Sequence, residues 1–174
     1  MRFKPAVAIG LACVALVGCG SGDSDDSSGP ARTPQKVAAL GPFVGECGHV
    51  NDDEVRSIAR LSQVSAVFRN SVGCNWQSAG LDSAVVTFAS YRGSPIDRER
   101  AWVQSKDRVT ETVTLQGRTG FQSHGTSYGT TTCDFAIGLG DDFFEWSTYG
   151  YTAAGRGPCD AARQLAELTL GRMQ

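Results

Sequence analysis

Basic residues are not in excess in this chain, and that absence excludes a first class of function. The 16 Lys and Arg stand against 18 Asp and Glu in 174 residues. A nucleic-acid binder needs a basic patch to displace counterions from phosphates, and no stretch supplies one. Histidine is nearly missing, with His49 and His124 the only two. No phosphate-binding glycine loop and no dinucleotide fingerprint is present, so no nucleotide cofactor is implied. No internal repeat points to a solenoid or an array. A long apolar run occurs once, at residues 6–17, and no second one follows that could span a bilayer.

That one run carries the most specific signal in the chain. Arg2 and Lys4 precede it. Its roughly 12 residues cover only about 18 Å as a helix, which suits a cleaved signal better than a spanning segment. It ends in Leu16-Val17-Gly18-Cys19, which resembles the lipobox of bacterial lipoprotein signal peptides. The resemblance implies cleavage after Gly18 and a thioether-linked diacylglycerol on Cys19, and two acyl chains hold a protein on a bilayer where one would not. Residues 20–36 are Gly, Ser, Asp and Pro with almost nothing apolar to bury. Such a segment cannot offset its ordering entropy and behaves as a coil with a span on the order of 20 Å. The expected organisation is a signal peptide at 1–18, a tether at 19–36 and one folded domain at 37–174. The expected location is the extracytoplasmic face of the cell membrane, touched only through the lipid on Cys19.

Cys13 is discarded with the signal and Cys19 is used for lipid, which leaves Cys47, Cys74, Cys133 and Cys159. Outside the cytoplasm an even set is usually oxidised, and four cysteines permit three connectivities. Cys47 with Cys74 and Cys133 with Cys159 is the preferred pairing, because each bridge would tie a helix start to a neighbouring strand. A metal site at Cys47-Gly48-His49 matches no zinc spacing, so no metal is expected.

Asn51 followed by Glu54, with Val55, Ile58, Ala59 and Leu61 at helical spacing, predicts a helix over 52–61. Strands are expected near Cys74, over 83–91, and over 109–115, where Val109, Glu111, Val113 and Leu115 alternate. A short surface helix is expected between them at 97–106, after Pro95. Residues 120–124 can pair back on the 109–115 strand. Gly140-Asp141 joins 130–139 to 142–151 as a hairpin. Pro158-Cys159 opens a last helix whose apolar stripe is Ala162, Leu165, Ala166, Leu168 and Met173. The fold class is α+β: one twisted, mainly antiparallel sheet, stapled by disulfides, with the N- and C-terminal helices on one face.

Cys47 ahead of an acid-rich helix, Cys74-Asn75-Trp76 on a strand, Gly117-Arg118 after a strand, Cys133 on a later strand and Pro158-Cys159-Asp160 at a helix start resemble the DUF3558-like group of actinobacterial lipoproteins. The resemblance runs from about Cys47 to Met173. It implies a lipid-anchored envelope protein and carries no catalytic residues.

Gly125-Thr126-Ser127-Tyr128-Gly129 matches the G-x-S-x-G nucleophile elbow by letter. The elbow needs a strand before it and a helix after it, with its histidine later in the chain. Here Thr130-Thr131-Thr132 follows and both histidines come first, so a polar hairpin loop is expected instead. Asp52, Asp53 and Glu54 complement a helix dipole, and Asp141 with Asp142 suits a turn. A paired-carboxylate hydrolase of cell-wall polymer is the alternative to a non-catalytic domain, because the separation of two carboxyls is a three-dimensional quantity. The densest aromatic segment is Phe143, Phe144, Trp146, Tyr149 and Tyr151. Strict alternation sends Phe143, Tyr149 and Tyr151 to one face and Phe144 and Trp146 to the other. Either both faces pack, or one lines a groove for an envelope protein, lipid or glycan. Phe143, Tyr149 and Tyr151 are the candidate binding residues.

Overall fold

The computed structural model of the protein describes residues 41–79, 83–127, 130–151 and 157–173. The expected signal peptide and tether, with Cys19, lie outside the described residues.

Two strands with runs of consecutive buried residues, and so covered on both faces, form the middle of the domain, β6 (Thr130–Gly138) and β7 (Phe143–Tyr151). They make the expected hairpin, and Gly140 takes the left-handed conformation its turn requires. Outward from this pair lie β1 (Val64–Asn70), β2 (Gly73–Ser78), β3 (Val85–Tyr91), β4 (Val109–Leu115) and β5 (Arg118–Ser127). The sheet has seven strands in the order β1-β2-β3-β7-β6-β5-β4, and every pairing is antiparallel. The last strand therefore inserts between β3 and β6, and the β3-to-β4 connection crosses from one part of the sheet to its far edge. Strand β1 has no clean alternation, with a burial pattern that is mostly exposed, and the periodicity that marks the other strands does not predict it.

One face of the sheet carries the main core. Helix α3 (Pro158–Arg172) lies on β6 and β7, and α1 (Asp52–Ile58) packs beside it. Both terminal helices thus share a face, as the pattern predicts. Trp76 stacks on Trp146 with ring centroids 5.6 Å apart, and the Phe88 ring lies 5.1 Å from Trp146. The Trp146 Nε1 donates to Thr169 Oγ1 at 2.9 Å, so Thr169 belongs to the buried stripe of α3 where Leu168 and Met173 are only partly covered. Asn51 and Glu54 cap α1 reciprocally at 3.0 Å each.

Cys47 is bonded to Cys74 and Cys133 to Cys159, with Cα atoms 5.4 and 5.2 Å apart. Each closes a loop of 27 or 26 residues, worth about 3.5 kcal/mol in the chain-entropy account. The first ties the turn before α1 to β2, and the second ties β6 to the first turn of α3.

The opposite face carries a smaller core. Helix α2 (Ile96–Gln104) lays Val103 against Phe121, Ala136 and Phe143, with Ile96 and Tyr91 at its margin. Its contacts with the sheet are to β4, β5 and β6.

Candidate functional site

The α2 side of the sheet holds an unusual number of polar side chains. Alternation brings Asn75, Thr87, Ser147, Asp134, Ser123 and Thr110 into one row across six adjacent strands, from β2 to β4, because each is the register partner of the next. Asn75 Nδ2 donates to Thr87 Oγ1 at 2.8 Å, and Ser123 Oγ donates to Asp134 Oδ2 at 3.0 Å. Arg108 pairs with Asp134 through Nη1. Gln104 of α2 reaches Thr110 at 2.8 Å.

Glu145 stands one position off this row, opposite Ala89 and Ala136. It is only 9% exposed. Burial, then the charge of Asp134, pushes its pKa up to about 8, against the pull of a 2.7 Å hydrogen bond from Ser147 to its Oε1. Glu99 of α2 is raised as well, by burial and by Asp134. Burial and the charges of Glu145, Glu99 and Asp134 push the Tyr91 hydroxyl up to about 12. Burial and the charge of Asp134 thus raise Glu145 and Glu99 alike.

Not every polar atom here has a partner. Among the described residues, Glu145 Oε2, Arg108 Nε, Arg108 Nη2 and Asn75 Oδ1 are buried with no hydrogen bond. Such atoms cost about 1–3 kcal/mol each when left alone. Two shallow cavities open beside the cluster and share Tyr91 and Ser94. One of about 400 Å³ is walled by Glu99 and Trp102 of α2. The other, about 320 Å³, extends over Ala89 to Val72.

The candidate binding residues do not stay together. Phe143 is fully buried and stacks on Tyr91 at 4.3 Å beneath α2. Tyr149 is 48% exposed on the polar face. Tyr151 lies on the other face, packed into the main core, with its hydroxyl donating to Ala59 O at 2.8 Å. This corrects the strict alternation, and the cause is Gly150. Its φ of 81° makes a bulge, so Tyr149 and Tyr151 oppose the adjacent residues Thr132 and Thr131. A Cβ there would meet Ser83 O at 2.7 Å, which restricts the position to glycine.

The serine-elbow letters do not lie on an elbow. Ser127 ends β5 and pairs with Thr130, the first residue of β6, so a strand follows where a helix is needed. Tyr128 and Gly129 lie outside the described residues. The acids at the start of α1 have structural partners. Asp52 accepts from Trp76 Nε1 at 2.8 Å, and Arg172 with the Asn51 backbone lowers Glu54 to about 2. Asp142 accepts from the Gly41 and Gly93 amides at 2.8 and 2.7 Å. Among the described residues no cluster of His, Cys, Asp and Glu can hold a metal ion. No described helix is long and apolar enough to cross a membrane.

The sequence reading passed over Asp134, Glu145 and Arg108. A signal for the first two was present in Cys133-Asp134-Phe135 and Phe144-Glu145-Trp146, where a carboxylate interrupts a run of apolar residues.

Comparison with known proteins places this architecture. The family model described as "Protein of unknown function (DUF3558)" matches residues 14–172. The chain belongs to the DUF3558 family. Its relatives include proteins named "Putative lipoprotein LprB". Those of Mycobacterium bovis and Mycobacterium tuberculosis are 34% identical over 161 residues, covering 90% of this chain and 87% of theirs. That of Mycobacterium leprae is 30% identical over 160 residues, covering 89% and 85%. No solved structure matches the chain. The relatives of this DUF3558 member are named as lipoproteins, and neither the family description nor their names assign a role.

Proposed function

We propose that the protein is held on the outer face of the cell membrane by a diacylglyceryl group on Cys19, and that its domain binds an envelope ligand on the polar face of the sheet without chemical turnover. The names of the relatives and the Leu16-Val17-Gly18-Cys19 sequence support the anchor. Two disulfides fit an oxidising compartment. The observation that carries the binding reading is the half-exposed ring of Tyr149 on the polar face of the sheet, beside the half-buried side chains of Thr87, Thr132 and Ser147.

A hydrolase is the second reading, and one observation favours it. Glu145 is raised, and a buried carboxyl that keeps its proton can serve as a general acid. Against it, Glu145 lines neither of the two cavities beside Tyr91.

Two measurements test the proposal. Cys19→Ser is expected to move the protein from the detergent-soluble membrane fraction to an uncleaved or soluble form, and unchanged membrane association would refute the anchor. Adding a soluble envelope fraction to the lipidated chain in micelles is expected to shift the amide resonances of Thr87, Thr132 and Ser147, with polymer lengths in the fraction unchanged. Polymer shortening that disappears in Glu145→Gln would replace the binding reading with the hydrolase.

A further inference from the structure

We propose that the surface around Trp102 and Val72 docks on the phospholipid bilayer that holds the chain; this rests on the reading of Cys19 as the anchor. The first argument is exposed apolar area. Trp102 is 57% exposed on α2, and Val72, in the turn between β1 and β2, is 59% exposed. The two cavities that share Tyr91 and Ser94 lie between them. Trp102 walls the one of about 400 Å³ and Val72 the one of about 320 Å³. The other tryptophans, Trp76 and Trp146, are fully buried.

The second argument is what flanks the indole. Arg98 stands one helical turn before Trp102 and walls the same cavity. Lys106, just past the helix end, holds its ammonium group 4.2 Å from the centre of the Trp102 ring. An indole between two long cationic side chains suits the headgroup level of a bilayer. The ring enters the interface, and the stems lie along apolar surface while their charges reach phosphates. Asp97, Glu99 and Asp107 offset much of that positive charge, so the apolar groups must supply most of the affinity.

The third argument is where the chain arrives. Gly41, the first described residue, donates its amide to Asp142 at 2.8 Å and accepts from Arg92 Nη2 at 3.3 Å. Arg92 walls the same cavity as Val72. About 22 residues separate Cys19 from Gly41, and a coil of that length spans on the order of 25 Å. A domain of this size is roughly 35 Å across, so the surface beside Gly41 is the part held nearest the bilayer. Tethering also makes docking intramolecular, and a contact too weak to recruit a free domain then suffices. No such advantage favours a protein partner. The docked orientation has a consequence for the other face. Strand β7 runs from Phe143, stacked on Tyr91 beside these cavities, to Tyr149 roughly 20 Å further on, which leaves Tyr149 away from the bilayer.

The test uses the lipidated mature chain in vesicles of phosphatidylcholine and phosphatidylglycerol, with and without bromine on the acyl chains near the headgroups. Brominated lipid is expected to quench about half or more of the emission that Trp102 supplies. Trp102→Phe is expected to abolish the quenching, because the two remaining indoles lie in the core. Val72→Asp, which keeps the reporter, is expected to reduce the quenching at least twofold with the melting temperature nearly unchanged, while Tyr149→Ala leaves it intact. A chain that floats with the vesicles but shows no bromine quenching of Trp102 overturns the docking and spares the anchor. If Trp102 is then also shielded from aqueous acrylamide, the surface belongs to a protein contact, a second copy included. A chain that does not float with the vesicles overturns the anchor and the docking together.

Discussion

Trp146→Ala is expected to cost about 4 kcal/mol or more of unfolding free energy, measured by denaturant unfolding with both disulfides intact. The ring is fully buried, packs against both Trp76 and Phe88, and donates to Thr169 of α3. Truncation removes the transfer free energy of an indole and leaves a cavity where strands β2, β3 and β7 meet the last helix. Such losses run to about 3–5 kcal/mol, and the broken hydrogen bond adds to them. Because small domains hold only about 5–15 kcal/mol in total, the variant should be near its unfolding threshold. Trp102→Ala is the matched control. That ring is 57% exposed on α2 and touches Lys106 across its face at 4.2 Å, so its loss should cost under about 1 kcal/mol. Equal costs at the two sites would show that the aromatic stack on the α3 face does not organise the core.

The second large effect is a dependence on pH. Glu145 has a folded pKa of about 8 against an ordinary value of 4.5. Between these values the folded protein retains a proton that the unfolded chain has released. Stability is therefore complete below about pH 4.5 and falls as pH rises toward 8, by at most about 1.4 kcal/mol per unit for this group. Glu145→Gln imitates the protonated acid and removes the titration. The variant should match the parent protein near pH 4.5 and exceed its stability by roughly 3–5 kcal/mol at pH 9, in denaturant unfolding at a series of pH values. Parallel curves for the two proteins from pH 5 to 9 would show that Glu145 is ionised in the fold and that the row carries charge.

Much of the local structure is legible in the chain. The Asn51–Glu54 capping box, the helix after Pro158 and the period-two run from Val109 to Leu115 all form where their residues indicate, because caps and side-chain alternation act over a few positions. Strand β1 escapes that logic. Its mostly exposed side chains at a sheet edge have no buried face to impose a pattern, and its pairing with β2 comes from the Asn70 turn, where Oδ1 accepts from the Val72 and Gly73 amides. Tyr151 escapes it too, since one left-handed glycine turns it into the main core.

The sequence by itself determined the helices, most of the strands, their antiparallel sense and a cysteine set suited to oxidation. Only the tertiary structure decided that β7 lies between β3 and β6, and with that everything at the candidate site. Asn75 with Thr87 and Asp134 with Ser147 are neighbours on consecutive strands, but the two pairs meet only because the register of β3 on β7 sets Thr87 beside Ser147. Local chemistry can say which face of its own strand a residue occupies, but registers between distant strands follow from how the apolar faces pack. The same packing leaves Glu145 between two alanines, where a surface carboxylate becomes a buried acid.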